Sequence, residues 1–252
     1  MFGLSALKGG RGMKSAVQEL KKARTHHEFE DRLKVLQDEI VKAELCFYSF
    51  IAIHDFLSNH KAEENKNPLY WSTIKDALLG YFFVTIGRMF DEDKKSQSVV
   101  SFVRYCKVYN SVFSKKHLQE RKKSELAPSE LESYMQRVPN VTVSKDDFET
   151  IETEIAVKKL VYYDKYENIR NKIFVHKDLK TVIREGGSYS KAFINELEEL
   201  LNFLNKVTQV FGELYMNGTK IDLKKVKYES SKTIITKDVG EFLKRLSANV
   251  EA

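Results

Sequence analysis

Arg170, Asn171, His176 and Asp178 fall within nine positions of one another, in the run Glu167-Asn168-Ile169-Arg170-Asn171-Lys172-Ile173-Phe174-Val175-His176-Lys177-Asp178. An arginine is a permanent planar cation whose forked donors suit a phosphate, and a histidine is the side chain whose proton moves near neutral pH. Together they are the parts needed to cleave RNA without a metal. The ribose 2′-hydroxyl attacks the adjacent phosphate, a histidine exchanges the proton, and an arginine stabilises the charge that develops on the phosphorane. No nucleophilic side chain is required.

Helical spacing constrains how these groups can meet. At about 100° per residue His176 falls within about 20° of Ile169, which lines up with Ile173 on an apolar stripe, so the histidine faces a core or an interface. Arg170 lies about 120° from His176 around the same helix. A long arginine side chain, a bend or a second chain is needed to bring the two together. The residues alone leave two readings open: a catalytic histidine, or a hydrogen-bonded histidine of the core.

The other chemistry-bearing residues carry weaker patterns. Neither HExxH nor CxxC occurs, and Cys46 and Cys106 stand far apart, so no zinc site or disulfide framework is specified and a reducing compartment is expected. His26 and His27 diverge by about 100° on a helix and read as solvated, as do His54, His60 and His117 in helix ends or charged stretches. Gly9, Gly10 and Gly12 miss the phosphate-loop spacing, since Met13 follows Gly12 and no strand precedes it. Neither a metal nor a cofactor is expected.

The elements that must position the run are helices. The 252 residues carry 42 Lys+Arg against 36 Asp+Glu, mostly interspersed, and are 42% hydrophobic with 12% aromatics, which excludes wholesale disorder. Three prolines and 11 glycines argue against a turn-rich sandwich. The reading is all-α, an elongated antiparallel helical bundle. Leu33, Leu36, Ile40, Ala43, Phe47, Phe50 and Leu57 lie along one face of a helix from about Glu28. Asn67-Pro68 starts a second helix through Phe90, and Ser98–Phe113 forms a third. Charge and two prolines between Ser114 and Ser144 indicate a short basic helix and then a loop. Ser144, with Asp146 and Asp147 behind it, caps a helix running to about Leu179.

Gly186-Gly187 separates that helix from the last long one, a stripe from Phe193 to Leu214 stopped by Asn217-Gly218. Residues 1–217 thus form one helical domain, with 1–13 a flexible lead, and residues 218–252 an appendage. Within the appendage, Ile221-Leu223-Val226 and Thr233-Ile234-Ile235-Thr236 have the look of a small β-hairpin, followed by a short helix from Asp238 to Leu246. No stretch approaches the roughly 18 apolar residues that span a bilayer, and the N-terminus has no signal-type apolar run, so a cytoplasmic protein without membrane contact is expected.

Arg170-Asn171-Lys172-Ile173-Phe174-Val175-His176 resembles the Arg-x(4 to 6)-His motif of the HEPN superfamily, including the polar residue that often follows its arginine. The extended form from Asn168 to Asp178, together with Thr85-Ile86-Gly87-Arg88-Met89-Phe90-Asp91, resembles the abortive-infection U-type branch. The likeness covers about residues 28 to 217. It implies a HEPN-like homodimeric bundle in which two Arg/His motifs face each other, a metal-independent endoribonuclease that leaves 2′,3′-cyclic phosphates, and a role as a toxin or phage-defence effector.

By the same resemblance Arg170 and His176 are catalytic and Asn171 orients the substrate or the histidine. Asp178, Arg88 and Asp91 are supporting residues: Asp178 would hold the imidazole tautomer, whereas Arg88 and Asp91 also suit an ion pair capping a helix. The implied partners are RNA, a second copy of the chain, and an antitoxin or regulatory protein. A non-catalytic RNA- or protein-binding dimerisation module is the alternative. Lys115-Lys116, Arg121-Lys122-Lys123 and Lys224-Lys225 could track a phosphate backbone, and Tyr162, Tyr163 and Tyr166 could stack on bases, although solvated faces for the basic runs and core packing for the tyrosines are the favoured accounts.

Overall fold

A single helix of 50 residues, α1 (Gly10–Asn59), forms the spine on which the other elements are arranged. The computed structural model describes residues 10–93, 95–139, 143–167, 191–220 and 222–248. The apolar stripe begins near Phe29, but α1 starts well before it, because Met13 to Arg24 is rich in Ala, Lys, Glu, Gln and Leu, all strong helix formers. Leu36, Ile40, Ala43, Phe47 and Phe50 are buried as the spacing requires.

A short helix, α2 (Lys61–Lys66), turns the chain into α3 (Pro68–Met89), whose first residue is the expected proline, although Asn67 makes no side-chain cap. α3 runs antiparallel to α1: Phe82 stacks on Phe47 at 4.8 Å, and Arg88 reaches back to Glu39. α4 (Val99–Val108) is capped by Ser98, whose hydroxyl accepts from the Ser101 backbone N–H at 3.1 Å. A 3-10 turn, Asn110–Phe113, follows, so the expected helix through Phe113 is broken at Tyr109.

The stretch read as a basic helix and a loop holds two helices, α5 (Lys115–Lys122) and α6 (Pro128–Arg137). Pro128 is a start rather than a break, because the first helical position needs no N–H donor. α7 (Lys145–Tyr162) has the expected Ser144 cap, reinforced by the Asp147 carboxylate on the Ser144 backbone N–H at 2.8 Å. It widens into a π turn over Tyr163–Glu167.

α8 (Lys191–Asn217) carries the apolar stripe from Leu197 to Leu214 and lies antiparallel to both α1 and α7, with Tyr215 stacked on Phe29 and Phe148 against Phe211. It ends where Asn217-Gly218 predicted. Gly218 adopts φ 63°, and a Cβ there would meet Leu118 at 2.7 Å, so both the turn and the close approach require glycine.

The expected hairpin is overturned. Among the described residues there is no strand, and Thr233 to Thr236 forms the first turn of α9 (Lys232–Ala248). Ile235, Val239 and Leu243 recur every four residues, and Leu243 packs with Ile53, Leu57 and Trp71. Burying that stripe, at about 1.5–3 kcal/mol per large side chain, outweighs a strand propensity worth a few tenths. The closing helix expected from Asp238 is present but begins six residues earlier.

Candidate functional site

Two tyrosines anchor the chain where it approaches the Arg/His run. Tyr162, fully buried at the end of α7, donates to the Phe83 carbonyl of α3 at 3.0 Å. Tyr166 in the π turn donates to Glu196 of α8 at 2.5 Å, and Lys165 pairs with the same carboxylate at 2.7 Å. Burial pushes the Tyr166 phenol above its ordinary range, so it stays a donor, while Lys165 and Tyr166 hold Glu196 below the usual carboxylate range. The segment entering the run is thereby fixed to two other helices. Of the three tyrosines considered for base stacking, Tyr162 and Tyr166 belong to the core and only Tyr163 remains half-exposed. Arg170, Asn171, His176 and Asp178 lie outside the described residues.

Arg88 and Asp91, at the C-terminal end of α3, do not pair with each other. Arg88 bridges to Glu39 of α1 at 2.5 Å and lies 3.4 Å from the Thr85 hydroxyl. Asp91 shapes the turn that follows: its backbone N–H donates to the Arg88 carbonyl at 3.2 Å, its Oδ1 accepts the Asp93 N–H at 3.0 Å, and its carbonyl accepts the Ser98 hydroxyl at 2.6 Å. The expected ion pair therefore exists for Arg88 with a different partner, and Asp91 keeps a carboxylate oxygen, Oδ2, without a described partner.

Asp91 lines a cleft of about 780 Å³ between α4, α7 and the α3–α4 turn. Val100, Val103, Ile155, Ala156 and Leu160 supply its apolar surface, and Tyr163 supplies an aromatic ring. Glu92, Arg104, Glu152 and Lys159 provide charge around it. Lys159 pairs with Glu92 and holds that carboxyl below its ordinary range, and its ammonium lies 5.4 Å from the Tyr163 ring centre. Glu152 pairs with Lys107 at 2.7 Å.

A second cluster, which spacing did not reveal, joins two of the histidines read as solvated. His117 is buried and hydrogen-bonds the Ser111 carbonyl at 2.6 Å, and its ring stands edge-on to His26 at 5.0 Å. Arg121 donates to the carbonyls of Val112 and Tyr215 at 2.9 and 2.5 Å, with its guanidinium 3.8 Å over the Tyr215 ring. Burial lowers the arginine's pKa and raises that of Tyr215, whose hydroxyl donates to Glu30 at 2.9 Å. This cluster locks α5 to α1 and α8. Its one sequence signal is the four-residue step from His117 to Arg121, which places both on the inward face of α5.

The basic runs are likewise partly consumed by structure. Lys115 donates to the Val138 carbonyl at 2.6 Å, Lys122 pairs with Glu125 at 2.6 Å, and Lys224 lies 3.7 Å from Glu154. Among the described residues no three His, Cys, Asp or Glu side chains converge as a metal site requires, and no helix is long and apolar enough to cross a membrane.

No curated protein and no solved structure matches the chain. A family model does. The AbiU2 family of the HEPN class matches residues 27–234, which takes in Thr85–Asp91, the whole of Asn168–Asp178, and the segment past Asn217 over which the motifs show no likeness. Since that match spans most of the chain, the protein belongs to the HEPN AbiU2 family.

Proposed function

We propose that this protein is a metal-independent endoribonuclease that acts in the cytoplasm as a toxin or phage-defence effector, using Arg170 and His176 at a site composed across a homodimer interface. The observation that carries the reading is the coincidence of the family match with an intact Asn-x-Arg-Asn-x-x-x-x-His-x-Asp run at residues 168–178. The capping of α7 and the tyrosine anchors at Tyr162 and Tyr166 support it, because a rigid approach is what a catalytic pair needs to be held in register.

In this mechanism the 2′-oxygen forms a bond to phosphorus as the bond from phosphorus to the 5′-oxygen breaks. His176 exchanges the proton, the leaving 5′-oxygen departs as a hydroxyl, and Arg170 neutralises charge on the non-bridging oxygens. Asn171 orients the substrate or the imidazole. A second chain resolves the 120° separation of Arg170 and His176, since the arginine of one protomer can serve the histidine of its partner. An antitoxin or regulatory protein would restrain such an activity.

The test incubates wild type, Arg170→Ala and His176→Ala with total RNA in EDTA and reads the fragment ends. Cleavage by wild type alone, leaving 2′,3′-cyclic phosphate and 5′-hydroxyl ends, is expected. Cleavage that survives both substitutions, or that EDTA abolishes, overturns the mechanism. RNA bound without cleavage by wild type favours the non-catalytic binding module.

A further inference from the structure

We propose that the cleft between α4 and α7 is a base-binding subsite that accepts guanine, and so sets a nucleotide preference for the RNA substrate; this rests on the RNA reading above. Its 780 Å³ lie within the range of small-ligand pockets, and it has their composition, a mostly apolar lining with a few polar groups.

The charges decide what kind of ligand fits. Glu92 is neutralised by Lys159 and Glu152 by Lys107, which leaves Asp91 and Arg104 as the lining groups that form no ion pair with a described residue. One carboxylate and one guanidinium cancel, so the cleft is no anion trap and a bare phosphate gains little there. A flat neutral heterocycle gains more. Val100, Val103, Ile155 and Leu160 remove its faces from water, and the half-buried Tyr163 ring offers a stacking surface, a contact worth a sizeable share of binding for any base.

Among the four bases the donor and acceptor pattern selects guanine. Guanine alone presents two adjacent N–H donors, N1–H and N2–H, which suit a carboxylate such as Asp91, and also the O6 and N7 acceptors that a guanidinium such as that of Arg104 reads in bidentate fashion. Adenine and cytosine each offer one amino group beside an acceptor, and uracil one N–H between two acceptors. Asp91 brings Oδ2 without a described partner, and its Oδ1 position is set by the Asp93 N–H. Arg104 is exposed, projects from α4, and makes no hydrogen bond to a described residue. The wall opposite is α7, whose Glu152, Ile155, Ala156, Lys159 and Leu160 face the cleft, with Tyr163 in the turn that follows.

The experiment is equilibrium binding of guanosine, adenosine and inorganic phosphate to the full-length chain by ligand-observed NMR, with wild type, Arg104→Ala and Tyr163→Ala. Guanosine bound at least tenfold more tightly than adenosine, with each substitution weakening it at least tenfold, is expected. Equal affinity for the two nucleosides, a preference for phosphate, or guanosine binding unchanged in Arg104→Ala overturns the proposal. Because Arg104 is exposed, its loss leaves the fold intact, which the circular dichroism spectrum checks. The readout is separate from cleavage: an RNA-cleaving protein that ignores guanosine refutes the subsite alone, whereas guanosine bound without any cleavage refutes the nuclease and leaves the subsite standing.

Discussion

The Tyr228 hydroxyl lies 3.0 and 3.1 Å from the two oxygens of Glu44, a carboxylate of α1 with no exposed surface. Asn205 of α8 adds a second donor at 2.9 Å, and no cation among the described residues joins them. The pair fastens the irregular segment before α9 to the spine. Removing one donor from a buried carboxylate costs about 1–3 kcal/mol, so Tyr228→Phe is expected to lower stability by that amount. Tyr134 is the matched contrast, since its buried hydroxyl has no hydrogen-bond partner among the described residues. Tyr134→Phe is expected to leave stability unchanged or slightly higher. Urea unfolding of both variants at constant slope checks the difference, and equal effects would refute the assignment.

Arg121 holds three elements at once, and a lysine cannot replace it. The planar fork reaches two carbonyls on different elements while its face rests on Tyr215, whereas an ammonium on a flexible stem reaches one carbonyl and stacks poorly. Losing a charged hydrogen bond and the ring contact leads to an expected destabilisation of about 2–4 kcal/mol for Arg121→Lys. A thermal midpoint within a degree of wild type would show the cluster to be dispensable.

Why Arg121 and His117 escaped the sequence reading, while Ser144 and Gly218 did not, is a matter of range. A cap or a helix stop is decided by residues a few positions apart, so Ser144 with Asp147, and Asn217 with Gly218, carry their own evidence. His117 sits in a stretch dense with charge, and what buries it, the faces of α1 and α8, lies about 90 positions away on either side. Thr233 to Thr236 failed for the same reason in reverse: four β-branched residues favour a strand locally, but the stripe through Ile235, Val239 and Leu243 is completed only against α1 and α3. The site divides similarly. The Arg170–His176 pattern is local and legible, and the Asp91 cleft is assembled from α4, α7 and a turn, which no spacing reveals.

Glu64 supplies the clearest pH dependence. Hydrogen bonds from Lys61 and Lys75, both at 2.9 Å, hold its carboxyl at about 2, against 4.5 when unpaired. A carboxyl whose folded value is depressed contributes stability that is complete above its unfolded value and is lost as the pH falls toward the folded one. The window is therefore pH 4.5 to 2. Because Glu64 is solvent-accessible, its contribution is modest, in the manner of surface pairs. Two outcomes are expected: a carboxyl carbon titration with a midpoint near 2 that rises toward 4.5 in Lys75→Ala, and a stability gap between wild type and Glu64→Gln that is constant above pH 5 and closes toward pH 2. A Glu64 midpoint that stays near 4.5 in wild type would mean that α2 does not hold this pairing against α3 in solution.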